Sequence, residues 1–275
     1  MIRAKTLHAG LVVAALSGVT HAEPSPQDGW KAMQEGRCAE AESILEALRQ
    51  RGSAEAIKLF GDMYSFGICR SQDHSKAFSM YTAAAERGQA DAQYSLAISY
   101  DKGVGTRVDS SLAALWYQKA AAQDHPIAQC NLAVLYFTGR GVTRDETKGA
   151  ELTERAALQS YAPAQNNLGR VYREGIGRTR DLQLAERWYR LAAEQGDPSG
   201  VLNLGAVYQS GVGVPPNKGL AYLLYVLASR RGNQKATENL QRMEIGLSAN
   251  QLSEAKRLAE QWKPPSSLPK TFPYQ

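Results

Sequence analysis

The chain is 275 residues long, 43% hydrophobic and 21% charged, with a formal net charge of +5. That excess is mild, which argues against a nucleic-acid binder, because such proteins concentrate basic residues on one surface. Beyond the N-terminus no run is apolar enough to cross a bilayer as a helix, which needs ~20 such residues.

In chain order, Arg3 and Lys5 are followed by an apolar run from Ala9 to Val19 and by the small-x-small site Thr20-His21-Ala22. This reads as a secretory signal peptide over 1–22, leaving a chain that begins near Glu23, has a charge of +3 and works outside the cytoplasm, in the periplasm or secreted. Residues 23–53 read as a lead and a shortened helical hairpin. Trp30 and Met33 lie on its first helix, with Ala41, Ile44, Leu45 and Leu48 on its second.

From residue 54 the chain repeats itself every 36 residues. Phe60, Leu96, Leu132, Leu168, Leu204 and Leu240 share one register, Tyr64, Tyr100, Tyr136, Tyr172 and Tyr208 another. Gly67, Gly103, Gly139, Gly175 and Gly211 form a third, and Asp73, Asp109, Asp145, Asp181 and Asn217 a fourth. Five units follow, 54–89, 90–125, 126–161, 162–197 and 198–233, and each predicts two helices. In the fourth, Ala164, Leu168, Gly169 and Tyr172 make one helical face. Gly175 ends that helix in the left-handed conformation, and Asp181 caps the next. Leu184, Ala185, Trp188, Tyr189, Ala192 and Ala193 give the second its stripe. Gly61, Ala97, Ala133, Gly169 and Gly205 keep a crossing point free of bulk. A single hairpin of this kind cannot bury its face, so stacked neighbours must share one core.

Residues 234–263 close the array. Leu240 keeps the register, and Ser248 with Gln251 has capping-box spacing ahead of a last helix through Trp262. Residues 264–275 contain four prolines and read as an extended tail, free or docked. The three cysteines are Cys38, Cys69 and Cys130. Cys69 stands where later copies have Gly105, Gly141 and Gly177, and stacking of equivalent parts brings it near Cys38. A Cys38–Cys69 disulfide is therefore expected, as export permits. Cys130 is left over, either a reactive thiol or, the reading favoured here, a small helix residue.

The run of Ala164, Leu168, Gly169, Tyr172, Gly175 and Gly177, then Asp181, then Trp188-Tyr189 and Ala192 to Gly196, resembles the Sel-1-like repeat family, a relative of the tetratricopeptide repeats. The resemblance is strong over 54–233 and looser on either side. It implies an all-α, right-handed, curved solenoid that binds other proteins on a concave face, often as a bacterial envelope adaptor. Some members are periplasmic immunity proteins that neutralise toxins, including lipases delivered by type VI secretion.

Catalytic patterns are not found. Beyond residue 22 the only histidines are His74 and His125, both read as surface residues. Zinc spacings and a Gly-x-Ser-x-Gly elbow are missing. The Gly-x-Gly pairs lack a third glycine and follow helices rather than strands. The chain therefore reads as a non-enzyme without cofactor or metal; a cell-wall hydrolase and a secreted host-interaction factor stand as alternatives.

By register with tetratricopeptide units, three first-helix rows line the concave face. They are Lys58, Tyr94, Cys130, Asn166 and Leu202; Asp62, Ile98, Val134, Arg170 and Ala206; and Ser65, Asp101, Phe137, Arg173 and Gln209. These vary from copy to copy where core positions do not. Tyr94, Ile98, Asp101, Val134, Phe137, Asn166, Arg170 and Arg173 are the expected partner-binding residues, since aromatics and arginine anchor interfaces. Asn131, Asn167, Asn203 and Asn239 read as packing rather than as a peptide clamp. The loop cations Arg70, Lys102, Arg107, Arg140, Arg144, Arg178, Arg180 and Lys218 read as a solvated rim.

Overall fold

The computed structural model describes residues 23–269, so the signal peptide expected over 1–22 and the end of the tail lie outside the described residues. The chain forms a capping hairpin, α1 (Pro26–Gln34) and α2 (Cys38–Gln50), then five helix pairs. These are α3 (Ala54–Phe66) with α4 (His74–Glu86), α5 (Ala90–Lys102) with α6 (Ser110–Ala122), and α7 (Pro126–Thr138) with α8 (Glu146–Leu158). They continue with α9 (Ala162–Glu174) and α10 (Leu182–Glu194), then α11 (Pro198–Ser210) and α12 (Lys218–Ser229). Helices α13 (Gln234–Met243) and α14 (Ala249–Gln261) end the array. From α1 to α13 each helix packs on its chain neighbours, the arrangement of an α-solenoid, and α14 packs back on α12.

The recurring Tyr, Gly and Asp are one device. The first helix of each unit stops at a glycine with φ between 67° and 73°, a conformation costly for other residues. The Asp or Asn six residues later donates its N–H to the tyrosine carbonyl at 2.8–3.0 Å, closing the loop. Its side chain then accepts the free N–H three residues on, as from Leu184 to Asp181 at 2.8 Å.

The second loop glycine is dictated by the neighbouring unit. A Cβ at Gly105, Gly141 or Gly177 would lie 2.1 Å from the carbonyl oxygen of His74, Ser110 or Glu146, which opens the preceding unit's second helix. At the first such junction the pair in these places is Cys69 and Cys38. Cys69 takes the same left-handed backbone (φ 60°). The two are joined as a disulfide with Cα atoms 5.1 Å apart. Where later units press backbone on backbone, the first is fastened covalently.

Between the helices of a unit, a second-helix tyrosine lies against the small residue of the first. A Cβ on Gly61, Gly169 or Gly205 would meet the ring of Tyr81, Tyr189 or Tyr225 at 2.5–2.8 Å. The third unit has Thr153 in place of that tyrosine, and its hydroxyl donates back to the Gly149 carbonyl at 2.8 Å. The volume is refilled from the other helix: the Phe137 ring lies over Gly149, where a Cβ would be 2.6 Å away. Other units have alanine at that seat, so Thr153, Gly149 and Phe137 are one compensated change.

A ladder of buried glutamines ties the middle units together. Gln93, Gln129 and Gln165 donate to the carbonyls of Ala85, Ala121 and Ala157 in the preceding unit, at 3.2–3.3 Å. Each in turn accepts from Gln123, Gln159 or Gln195 of its own unit, at 2.7–2.9 Å. Burial of these amides is tolerable because each has partners. Towards the C-terminus α13 and α14 cover α12, whose residues from Gly219 to Ala228 are all buried. The tail turns back at Pro264 and docks, with Leu268 inserted among residues of α12 and α14.

A candidate protein-binding groove

First helices from successive units line an open groove of about 620 Å³ at the N-terminal half of the array. Trp30 of α1, Phe66 of α3, Tyr94 and Ile98 of α5 and Ile127 of α7 form its apolar lining. Phe66 is 68% exposed and Trp30 39%, an unusual outlay of aromatic surface. Local sequence explains both positions. Phe66 is the last residue of α3, where later units have Lys102, Thr138, Glu174 and Ser210. Trp30 is carried by the disulfide-fastened hairpin, while Met33 on the same helix enters the core.

The polar lining is preorganised. Asp62 is buried, accepting from Lys58 Nζ at 2.7 Å and from the Tyr81 hydroxyl at 3.0 Å. Burial, with the Asp62 charge beside it, pushes the Tyr81 phenol well above its usual value. His125 caps α7 through Nδ1, which accepts the Ala128 N–H at 3.1 Å. That bond leaves Nε2 as the protonated nitrogen facing Asp91 Oδ1 at 3.3 Å, and the imidazole stacks on Tyr94 with ring centroids 4.7 Å apart. Hydrogen bonding from His125 holds the Asp91 carboxyl down to about 2, so the rim carries a fixed negative charge. Both ring nitrogens of His125 are thus engaged, one by a helix cap and the other by Asp91.

The expected partner-binding residues divide. Tyr94 and Ile98 line the groove, and Val134, one unit on from Ile98, is 43% exposed. Arg170 is exposed. Arg173 lies over the Tyr189 ring at 5.9 Å and pairs with Glu174 at 2.6 Å. Three do not belong to a free patch. Asp101 has a side chain only 7% exposed and is paired with Arg140 at 2.8 Å. Asn166 accepts from Asn203 of the next unit at 2.7 Å, and Phe137 is the ring that replaces the missing tyrosine. Pairing and packing engage all three side chains within the chain itself. Phe66, Trp30 and His125 were missed. The signal for Phe66 was available, an aromatic residue at a position otherwise polar.

The loop cations are largely engaged: Arg70 with Glu42 at 3.0 Å, Arg178 with Glu154 at 3.1 Å, and Arg144 with Glu146. Cys130 is buried, and burial alone pushes its thiol up to about 12, which makes it a packing residue rather than a reactive one. Among the described residues no group of three or more His, Cys, Asp or Glu is placed to hold a metal ion, and no helix is long and apolar enough to cross a membrane.

Tandem helix-turn-helix units with an open first-helix face define an α-solenoid of the protein-interaction class. The chain belongs to the Sel1 repeat family: the Sel1 repeat matches residues 54–89, 90–125, 126–161, 162–197 and 198–233. A Sel1 repeat protein from Oxalobacter formigenes is 26% identical, with a TM-score of 0.74, over 86% of this chain and 99% of its own. A protective antigen of uropathogenic Escherichia coli with the same fold is 27% identical with a TM-score of 0.73, over 86% of this chain. This chain spans about half of that antigen's length (53%). An immunity protein from Pseudomonas aeruginosa also matches, at 22% identity and a TM-score of 0.49, over 76% of this chain and 84% of its own; a likeness so remote carries no functional inference. No curated protein sequence matches.

Proposed function

We propose that this chain is a non-enzymatic, exported adaptor that binds a partner protein in the groove between α1, α3, α5 and α7. The observation that carries the reading is the aromatic lining held open there by a preorganised polar frame. Aromatic side chains at the centre of a recess are the usual anchors of an interface. Val134 and Arg170 extend the same face. A periplasmic setting is supported by the leader-like composition of 1–22 and by the Cys38–Cys69 bond, which persists in oxidising compartments. The sharper form of the reading, neutralisation of a secreted toxin, and the blander one, envelope assembly, both use this groove. They are told apart by whether the partner, once identified, kills a cell that lacks this chain.

The test is a crosslinked pull-down from the native cell envelope with three tagged chains: wild type, a Phe66→Asp/Tyr94→Ala groove variant, and a Leu158→Asp variant of an exposed residue elsewhere. A partner held by wild type and Leu158→Asp, and lost by the groove variant with helical circular dichroism unchanged, supports the assignment. A partner held equally by all three removes it.

A further inference from the structure

A second feature lies far along the chain, on α10, and shares no residue with the groove. The C-terminal tail runs along it. Pro264 rests on Gly196, where a Cβ would lie 2.9 Å from the proline ring. The Ser266 N–H donates to the Glu194 carbonyl at 3.2 Å. Leu268 is held at both backbone groups: its N–H donates to Glu194 Oε1 at 3.1 Å, and its carbonyl accepts from Arg190 Nη1 at 3.4 Å. Its side chain is 3% exposed, buried in the C-terminal core. Reading a residue by its N–H, its C=O and a pocket for its side chain is how extended peptides are recognised.

The clamp is assembled without help from the tail. Arg190 donates Nε to Glu186 Oε1 at 3.0 Å and Nη2 to the Tyr208 hydroxyl at 2.6 Å. That hydroxyl donates to Glu186 Oε1 at 2.7 Å. Arg190 and Glu186 are 15% and 12% exposed with the tail in place, and their charge-assisted bonds to each other and to Tyr208 involve no tail atom. They are also peculiar to this unit. Thr82, Gln118, Glu154 and Val226 stand in the place of Arg190, and Phe78, Ala114, Ala150 and Tyr222 in that of Glu186. Arg190, held by Glu186, and Glu194 one turn on thus meet the main chain of the tail, beyond the apolar seat of Leu268.

We infer that α10, with α12 and α14, forms a peptide-binding site for an extended Ser-Leu-Pro-like segment of a partner, occupied in cis by the chain's own residues 264–269. A tethered occupant acts at a high effective concentration, on the order of millimolar for short linkers, so the tail gates the site against weak competitors.

The test uses the full chain with Leu268→Asp, which unseats the tail, and a fluorescein-labelled peptide Pro-Pro-Ser-Ser-Leu-Pro. Fluorescence anisotropy is expected to show saturable binding at least tenfold tighter to Leu268→Asp than to wild type. An Asp-for-Leu peptide should lose that binding, and adding Glu194→Ala to Leu268→Asp should weaken it at least tenfold with helix content unchanged. Dimers of Leu268→Asp mixed with wild type, dissolved by the peptide, support the same site with a second copy as donor. A helical Leu268→Asp chain that ignores the peptide, or binds both peptides equally, overturns the inference. If Leu268→Asp loses helix, Ser266→Pro serves instead, with Trp262 fluorescence as reporter, since its indole N–H donates to the Ser266 carbonyl at 3.1 Å. Tail release with helix content retained and the labelled peptide bound at least tenfold tighter than by wild type upholds the site; release without peptide binding, or with loss of helix, shows a structural cap only. None of these outcomes depends on the groove.

Discussion

The two ends of the array solve one problem in opposite ways. A terminal unit has a neighbour on one side only, so its outer face must be shielded or its attachment strengthened. At the C-terminus the answer is burial: α12 is enclosed by α11, α13, α14 and Leu268 of the tail. At the N-terminus the answer is a covalent bond, which secures α1 and α2 with a smaller packed seam. The fastened end is free to leave Trp30 and Phe66 exposed; the buried end is not. Fixing a hairpin by a bond rather than by apolar area goes with apolar area left exposed.

The largest blow to this contrast comes from the buried end. Tyr225→Ala should cost on the order of 3–5 kcal/mol, as for other large core aromatics, measured by urea unfolding of the helical signal. Loss should centre on α11 to α14. Next, Cys38→Ser should destabilise the first hairpin by about 2–4 kcal/mol. Hydrogen exchange should then show protection lost in α1 and α2 and kept in α9 to α12; uniform loss along the chain would mean that the bond is not a local fastener. Non-reducing peptide mapping should find the Cys38–Cys69 link with Cys130 free.

Between the ends, Gly149→Ala should cost about 1–3 kcal/mol by overpacking against Phe137. Combined with Phe137→Ser and Thr153→Tyr it should recover most of that loss, because the set recreates the arrangement of the other units. A triple variant no better than Gly149→Ala would sink the compensation. The smallest effect concerns pH. Asp91 is held down to about 2 when folded, below the ~3.9 of an unfolded aspartate. Its contribution is therefore present above about pH 4 and fades as pH falls towards 2. Because the side chain is more than half exposed, Asp91→Asn should change stability by less than ~1 kcal/mol at neutral pH and by only a small part of that at pH 2.

Most of the fold was legible because it is written five times. The period, the tyrosine–glycine–aspartate loop and the small residue at each crossing all recur, and each has a local physical cause. The candidate site was only half legible. Register named the rows of the open face, so Tyr94 and Ile98 fell where expected. It could not show that Asp101 pairs with Arg140 or that Phe137 turns inward, because both depend on residues more than ten positions away. Trp30 was invisible for another reason: the cap departs from the repeat and offers no register to compare.

The amino-acid sequence by itself determined the helices, their caps and the repeat length, since these follow from short-range conformational preference and from the period. Tertiary structure alone decided the glutamine ladder, the clamp of Arg190 and Glu194 on the tail, and which varying residues remain exposed. Those depend on the relative placement of side chains from different units. A period states that units are adjacent; only the packed chain says which atoms meet.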